Sequence, residues 1–146
     1  MEKQVKPFGM IVNKMILEFF QALKKRTGEQ TEDRLTIDQF GLLYAISLEE
    51  DEVIQKDMAE TMGKDKSAIL RMIDTLEEKE LVRRVVGRAD RRKNNIVVTK
   101  KGERIIGQYL KIEFELTEEL QQGLSKSELD TFYKVIEHIR NKAKQL

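Results

Sequence analysis

The chain has 146 residues, the size of one domain with a real core, and at 40% hydrophobic and 36% charged it reads as folded, soluble and heavily charged on its surface. It contains no cysteine, which excludes disulfides, thiolate metal sites and thiol redox chemistry. The net charge of +1 hides a segregation. Residues 83–104 hold nine cations and two acids, a surplus of seven that leaves the remainder at −6.

The opening "MEKQVKPFGMIVNKM" lacks a signal peptide's apolar core because Asn13 and Lys14 interrupt it, and no apolar run approaches the ~20 residues that span a bilayer. A cytoplasmic protein without membrane contact is expected. Phe8, Ile11, Val12, Met15, Phe19, Ala22 and Leu23 recur at helical spacing, predicting a helix over 6–26 that stops near Gly28. Met10, Ile16, Leu17 and Phe20 widen its apolar surface beyond one stripe, as in a helix that is either deeply buried or sits between two subunits. "TIDQ", Thr36 to Gln39, is a capping box opening a helix to about Leu48, with Ile37, Phe40, Leu43 and Tyr44 inward. The acidic residues 49–52 follow as a loop, and Val53-Ile54 fits a single short strand.

"QKDMAETM" predicts a short helix with Met58, Ala59 and Met62 inward and Gly63 as its stop. Asp65 caps the next helix, which runs to about Lys79 with Ile69, Met72, Ile73 and Leu76 on its buried face. Lys66, Ser67, Leu70, Arg71 and Asp74 form the opposite face. Val85-Val86 and Ile96 to Thr99 make a hairpin with a long connection carrying Arg88, Arg91, Arg92 and Lys93. A hairpin needs only about 2–5 connecting residues, so a longer, cationic one suggests a ligand. A long helix capped by Thr99 follows (Ile105, Ile106, Tyr109, Leu110, Ile112, Leu116, Leu120). The last helix opens on a second capping box, Ser125 to Glu128, and carries Leu129, Phe132, Ile136, Ile139 and Ala143 on one side.

Two short helices joined at Gly63, the second with a polar and partly basic face, read as helix-turn-helix. A helix fits the major groove of B-DNA, where Lys66, Ser67 and Arg71 could meet base edges, Leu70 a thymine methyl and Lys64 a phosphate. The hairpin directly after it reads as a wing, its arginines suited to phosphates and to the negative potential of narrow minor grooves.

"DRRKNNIVVTKKG", Asp90 to Gly102, resembles the wing signature of the multiple antibiotic resistance regulator (MarR) family, and Gln55 to Val82 resembles that family's helix-turn-helix. The resemblance covers nearly the whole chain. It implies a mainly α fold (α+β): a winged helix-turn-helix over 36–100, with helical dimerisation parts at 6–26 and 100–146, in one domain. It further implies a homodimeric transcription regulator, a repressor, on a pseudo-palindromic operator in double-stranded DNA, and a small aromatic or anionic effector whose identity and site the sequence leaves open. The expected DNA contacts are Lys64, Lys66, Ser67, Leu70, Arg71, Arg88, Asp90, Arg91, Arg92 and Lys93, with Asp90 orienting a wing arginine. The expected dimer contacts are Phe8, Ile11, Val12, Met15, Phe132, Ile136 and Ile139. Family members usually have glycine where Glu80 stands, which implies a tight or strained turn into the wing. They often have an acid at Gly87 and an arginine at Ala89, which implies that Arg88 alters the tip, and a small or polar residue at Leu70.

Two other classes compete with this reading. An enzyme is disfavoured because one histidine, His138, and solvated acid pairs such as Glu77-Glu78 and Glu118-Glu119 build no catalytic or metal site. No cofactor and no metal are expected. A winged-helix adaptor that binds protein rather than DNA would have no need of the +7 segment.

Overall fold

The computed structural model describes residues 6–31, 33–48, 53–86 and 94–146, so the acidic residues 49–52 lie outside the described residues. The order is α1 (Phe8–Gln30), α2 (Ile37–Leu48), β1 (Val53–Ile54), α3 (Gln55–Met62), α4 (Lys66–Glu78), β2 (Val82–Val86), β3 (Asn94–Val98), α5 (Lys100–Leu120) and α6 (Lys126–Lys144). Two compact units divide the chain, residues 1–113 and 114–146.

In the first unit the antiparallel sheet has the order β1-β3-β2, with Val82 opposite Val98 and Val86 opposite Asn94 at the two ends of the hairpin. Its strands begin earlier than the β-branched runs indicate, taking in Val82, Arg83 and Arg84 on one side and Asn94-Asn95 on the other. Seven residues, 87–93, therefore connect them. The core joins Leu42, Leu43 and Ile46 of α2, Met58 of α3, Ile69, Ile73 and Leu76 of α4, Leu81, Val82, Ile96, and Ile105, Ile106 and Tyr109 of α5. Tyr109 stacks on Phe40 with ring centroids 4.8 Å apart, and its hydroxyl accepts from Leu35 N–H (2.8 Å) and donates to the Asp33 carbonyl (3.0 Å). A buried phenol thus fixes the segment that leads into α2.

Local signals set most boundaries. Thr36 Oγ1 accepts from Gln39 N–H at 3.1 Å and Gln39 Oε1 from Thr36 N–H at 3.0 Å, completing the first capping box. Asp65 accepts from Ala68 N–H at 2.8 Å. Thr99 Oγ1 accepts from Gly102 N–H at 3.0 Å, capping α5. The expected stop of α1 at Gly28 is a misreading: the helix continues to Gln30. The hydroxyls of Thr27 and Thr31 bond back to carbonyls of the preceding turn there, so the two residues after Gly28 stay in helical register.

In the second unit the Ser125–Glu128 capping box is complete, Ser125 Oγ accepting from Glu128 N–H (3.1 Å) and Glu128 Oε1 from Ser125 N–H (3.0 Å). These bonds favour the ionised carboxylate and hold the Glu128 pKa below its ordinary value. No residue of α6 is buried. Leu120, the last of the apolar residues read along α5, is also exposed.

Candidate nucleic-acid interface

The α3–α4 turn follows from two residues. Gly63 takes φ +62°, which a glycine adopts without a Cβ clash, and the Lys64 N–H reaches back to the Ala59 carbonyl at 3.2 Å. Asp65 then restarts the helix. With Ile69, Ile73 and Leu76 buried, α4 has no freedom to rotate, and Lys66, Ser67 and Arg71 stay exposed. Leu70 is half-buried among them. Arg71 Nε donates to the Ser67 carbonyl at 3.4 Å, laying the guanidinium along the outer face. Lys64 Nζ stands 3.4 Å from Asp38 Oδ2. An exposed pair of this kind is worth about 0–1 kcal/mol, so a phosphate can displace it.

The expected wing contacts Arg88, Asp90, Arg91, Arg92 and Lys93, with Gly87 and Ala89, lie outside the described residues. The root of the hairpin is well defined. Arg84 of β2 sends Nη2 to Asp74 Oδ1 (2.6 Å) and Nη1 to Glu77 Oε1 (2.8 Å), while its backbone N–H donates to Glu77 Oε2 (3.2 Å). Burial by itself would lower the Arg84 pKa. The hydrogen bond donated to Asp74 and the charges of Glu77 and Asp74 outweigh it, so the net shift is upward. Asp74 is exposed on α4, as read from sequence, and is also a partner of the strand.

The turn before β2 is closed by residues of the family-like signature. Thr99 Oγ1 donates to the Glu80 carbonyl at 2.6 Å, and Thr99 N–H donates to the Leu81 carbonyl at 3.0 Å. Glu80 takes φ +62°, the strained turn expected where relatives carry glycine. A Cβ on Gly102 would fall on the Leu81 carbonyl oxygen and within 2.7 Å of Val98 Cγ1. Lys101 Nζ donates to the Lys79 carbonyl (2.9 Å) and lies 3.2 Å from Asp33 Oδ2 as an ion pair without hydrogen-bond alignment. Two of the nine cations of the basic segment, Arg84 and Lys101, are therefore engaged inside the fold.

The expected dimer residues are open in the single chain. Phe8 is 62% exposed, Phe132 42%, Ile136 37% and Ile139 39%, Ile11 and Met15 are also exposed, and Val12 is half-buried. Among the described residues no cluster of three or more His, Asp or Glu could hold a metal, and no helix is long and apolar enough to cross a membrane. His138 is exposed on α6.

The fold has close counterparts. A MarR crystal structure superposes with a TM-score of 0.81 at 24% identity, covering 99% of this chain and 95% of that one. The reduced form of MarR from E. coli gives 0.80 at 21%, over 94% and 98% of the two chains. CouR, a transcriptional repressor bound to a 23-mer DNA duplex, gives 0.80 at 21%, over 92% and 93%. At these identities the likeness establishes the fold. The family model of the MarR family matches residues 35–93, from the start of α2 to the end of the β2–β3 connection. This segment is similar to the MarR family and folds as a winged helix.

Proposed function

We propose that this chain is a homodimeric transcription regulator of the MarR type that binds double-stranded DNA sequence-specifically. The observation that carries the proposal is α4: its apolar side is fully used by the core, and its free side offers Lys66, Ser67 and Arg71 to solvent immediately before a basic hairpin. In this reading α4 enters the major groove. Lys66, Ser67 and Arg71 hydrogen-bond to base edges, Leu70 meets a thymine methyl, and Lys64 takes a phosphate. Residues 87–93 reach the flanking minor groove or backbone through Arg88, Arg91, Arg92 and Lys93, with Asp90 orienting a guanidinium. The DNA-bound state of CouR, a protein of the same fold, supports this docking.

The finer reading is repression from a pseudo-palindromic operator by a cytoplasmic dimer joined through 6–26 and 100–146. Two recognition helices about one DNA turn apart, ~34–36 Å, would then read two half-sites. A small aromatic or anionic effector would release it. Footprinting of the purified protein on genomic fragments tests the reading. Protected sites with two-fold symmetry are expected, and affinity should fall roughly 10³–10⁵-fold between 50 and 200 mM salt if several cations per protomer meet phosphates. Failure to retain any duplex at moderate salt would overturn it in favour of the protein-binding adaptor.

A further inference from the structure

The Arg84 cluster has a geometry that structural filler does not require. Asp74 and Glu77 are three residues apart on α4 and so share one helix face, and one guanidinium spans both, a terminal nitrogen to each. Asp74 stands one turn beyond Arg71 on the helix that offers Ser67 and Arg71 to DNA. Arg84 stands two residues before β2 ends and the arginine-rich connection begins. The Arg84 side chain is 23% exposed, and both its terminal nitrogens are occupied by carboxylates. It has neither the access nor the unpaired charge that a phosphate contact needs.

We propose that Arg84 is a positioning residue for DNA reading, locking the root of the wing to the recognition helix so that the two DNA-contacting elements meet the duplex at a fixed spacing. The inference rests on the regulator reading and specifies how its two parts are held in register. The physical ground is the planar fork of arginine, which engages two carboxylates in one plane, whereas a lysine ammonium is a point charge on a flexible stem and fixes no orientation. The bond from Arg84 N–H to Glu77 removes slack in the backbone at the same residue. Specific binding needs both elements in place at once, while nonspecific binding needs only their charge. Loosening the bridge should therefore reduce the first and spare the second.

Arg84→Lys keeps the charge and Asp74→Asn removes one carboxylate. Each is titrated against the footprinted site and a random duplex of equal length at three salt concentrations, with unfolding midpoints measured alongside. Arg84→Lys should lose about tenfold or more on the specific site, with random-duplex affinity and the salt slope unchanged. Asp74→Asn adds net positive charge, so a charge model gives tighter binding everywhere. Positioning gives weaker specific binding, and the double variant should lose little more than either single one, because both break the same bridge. Equal losses by Arg84→Lys on both duplexes would make Arg84 a general backbone contact and overturn the proposal. Unchanged specific binding by Arg84→Lys would overturn it too, as would losses that merely follow the unfolding midpoint. If the unaltered chain selects no site, the regulator reading fails and the inference falls with it; a selected site with an indifferent Arg84→Lys removes the inference alone.

Discussion

At the residue scale two backbone positions are set by contacts that composition cannot reveal. Gly102 lies in the first turn of α5, where helix propensity favours alanine by about 1 kcal/mol. Its missing Cβ is what lets the helix rest on the Leu81 carbonyl and Val98. Gly102→Ala should therefore destabilise by roughly 1–3 kcal/mol, as overpacking does. Gly107→Ala, five residues along the same helix with no atom within 4 Å of a new Cβ, should stabilise by about 0.5–1 kcal/mol. Urea unfolding of the pair checks the opposite signs, and two shifts of the same sign would refute the close approach at Gly102. Glu80 is the converse case, a side chain held at φ +62°. Glu80→Gly relieves a left-handed penalty of about 1–2 kcal/mol and should raise the unfolding midpoint, although it enlarges the freedom of the unfolded chain. A lower midpoint would mean that the Glu80 side chain does more than occupy the turn.

Elements were legible in the sequence wherever their ends are decided within four residues. Thr36 with Gln39, Ser125 with Glu128, Asp65 and Gly63 each satisfy orphan helix groups locally, and all four mark the observed boundaries. What stayed hidden depends on partners far along the chain. Arg84 reads as one more basic residue until α4 brings Asp74 and Glu77 to it, and Lys101 until Asp33 lies beside it. Gly28 misled because a glycine is a stop only where the chain turns, and the threonine hydroxyls at 27 and 31 keep it helical. The α6 box carries its own prediction. The folded Glu128 pKa lies below the unfolded one, so its contribution is present above the ordinary carboxylate value and is lost as pH falls through the folded value. Protection of the amides in the first turn of α6, taken relative to their intrinsic exchange rate at each pH, should fall on acidification, and Glu128→Gln should abolish most of that pH dependence. Ser125→Ala should cost about 1 kcal/mol at neutral pH.

For the whole molecule the charge and the apolar surface point in complementary directions. The basic surplus is confined to 83–104, while the large exposed apolar side chains lie elsewhere: Phe8, Met10, Ile11, Met15 and Leu17 on α1, and Phe132, Tyr133, Val135, Ile136 and Ile139 on α6. Contiguous apolar faces of this kind are uncommon on monomers and mark interfaces. A second copy of the chain is the simplest cover, because a two-fold contact buries the same face on both partners. Burying one Phe or Ile side chain contributes about 1.5–3 kcal/mol, and replacing it by glutamate adds the cost of an unpaired carboxylate in the same interface. Phe132→Glu and Ile136→Glu should therefore shift the protein toward monomer in sedimentation at micromolar concentration. Neither residue is among those assigned to DNA contact. Affinity for an isolated half-site should then stay near that of the unaltered chain. Affinity for the full operator should fall by 10²–10⁴, because the second half-site no longer binds at high effective concentration. Variants that remain dimeric, or that lose half-site and full-site binding alike, would remove α6 from the interface.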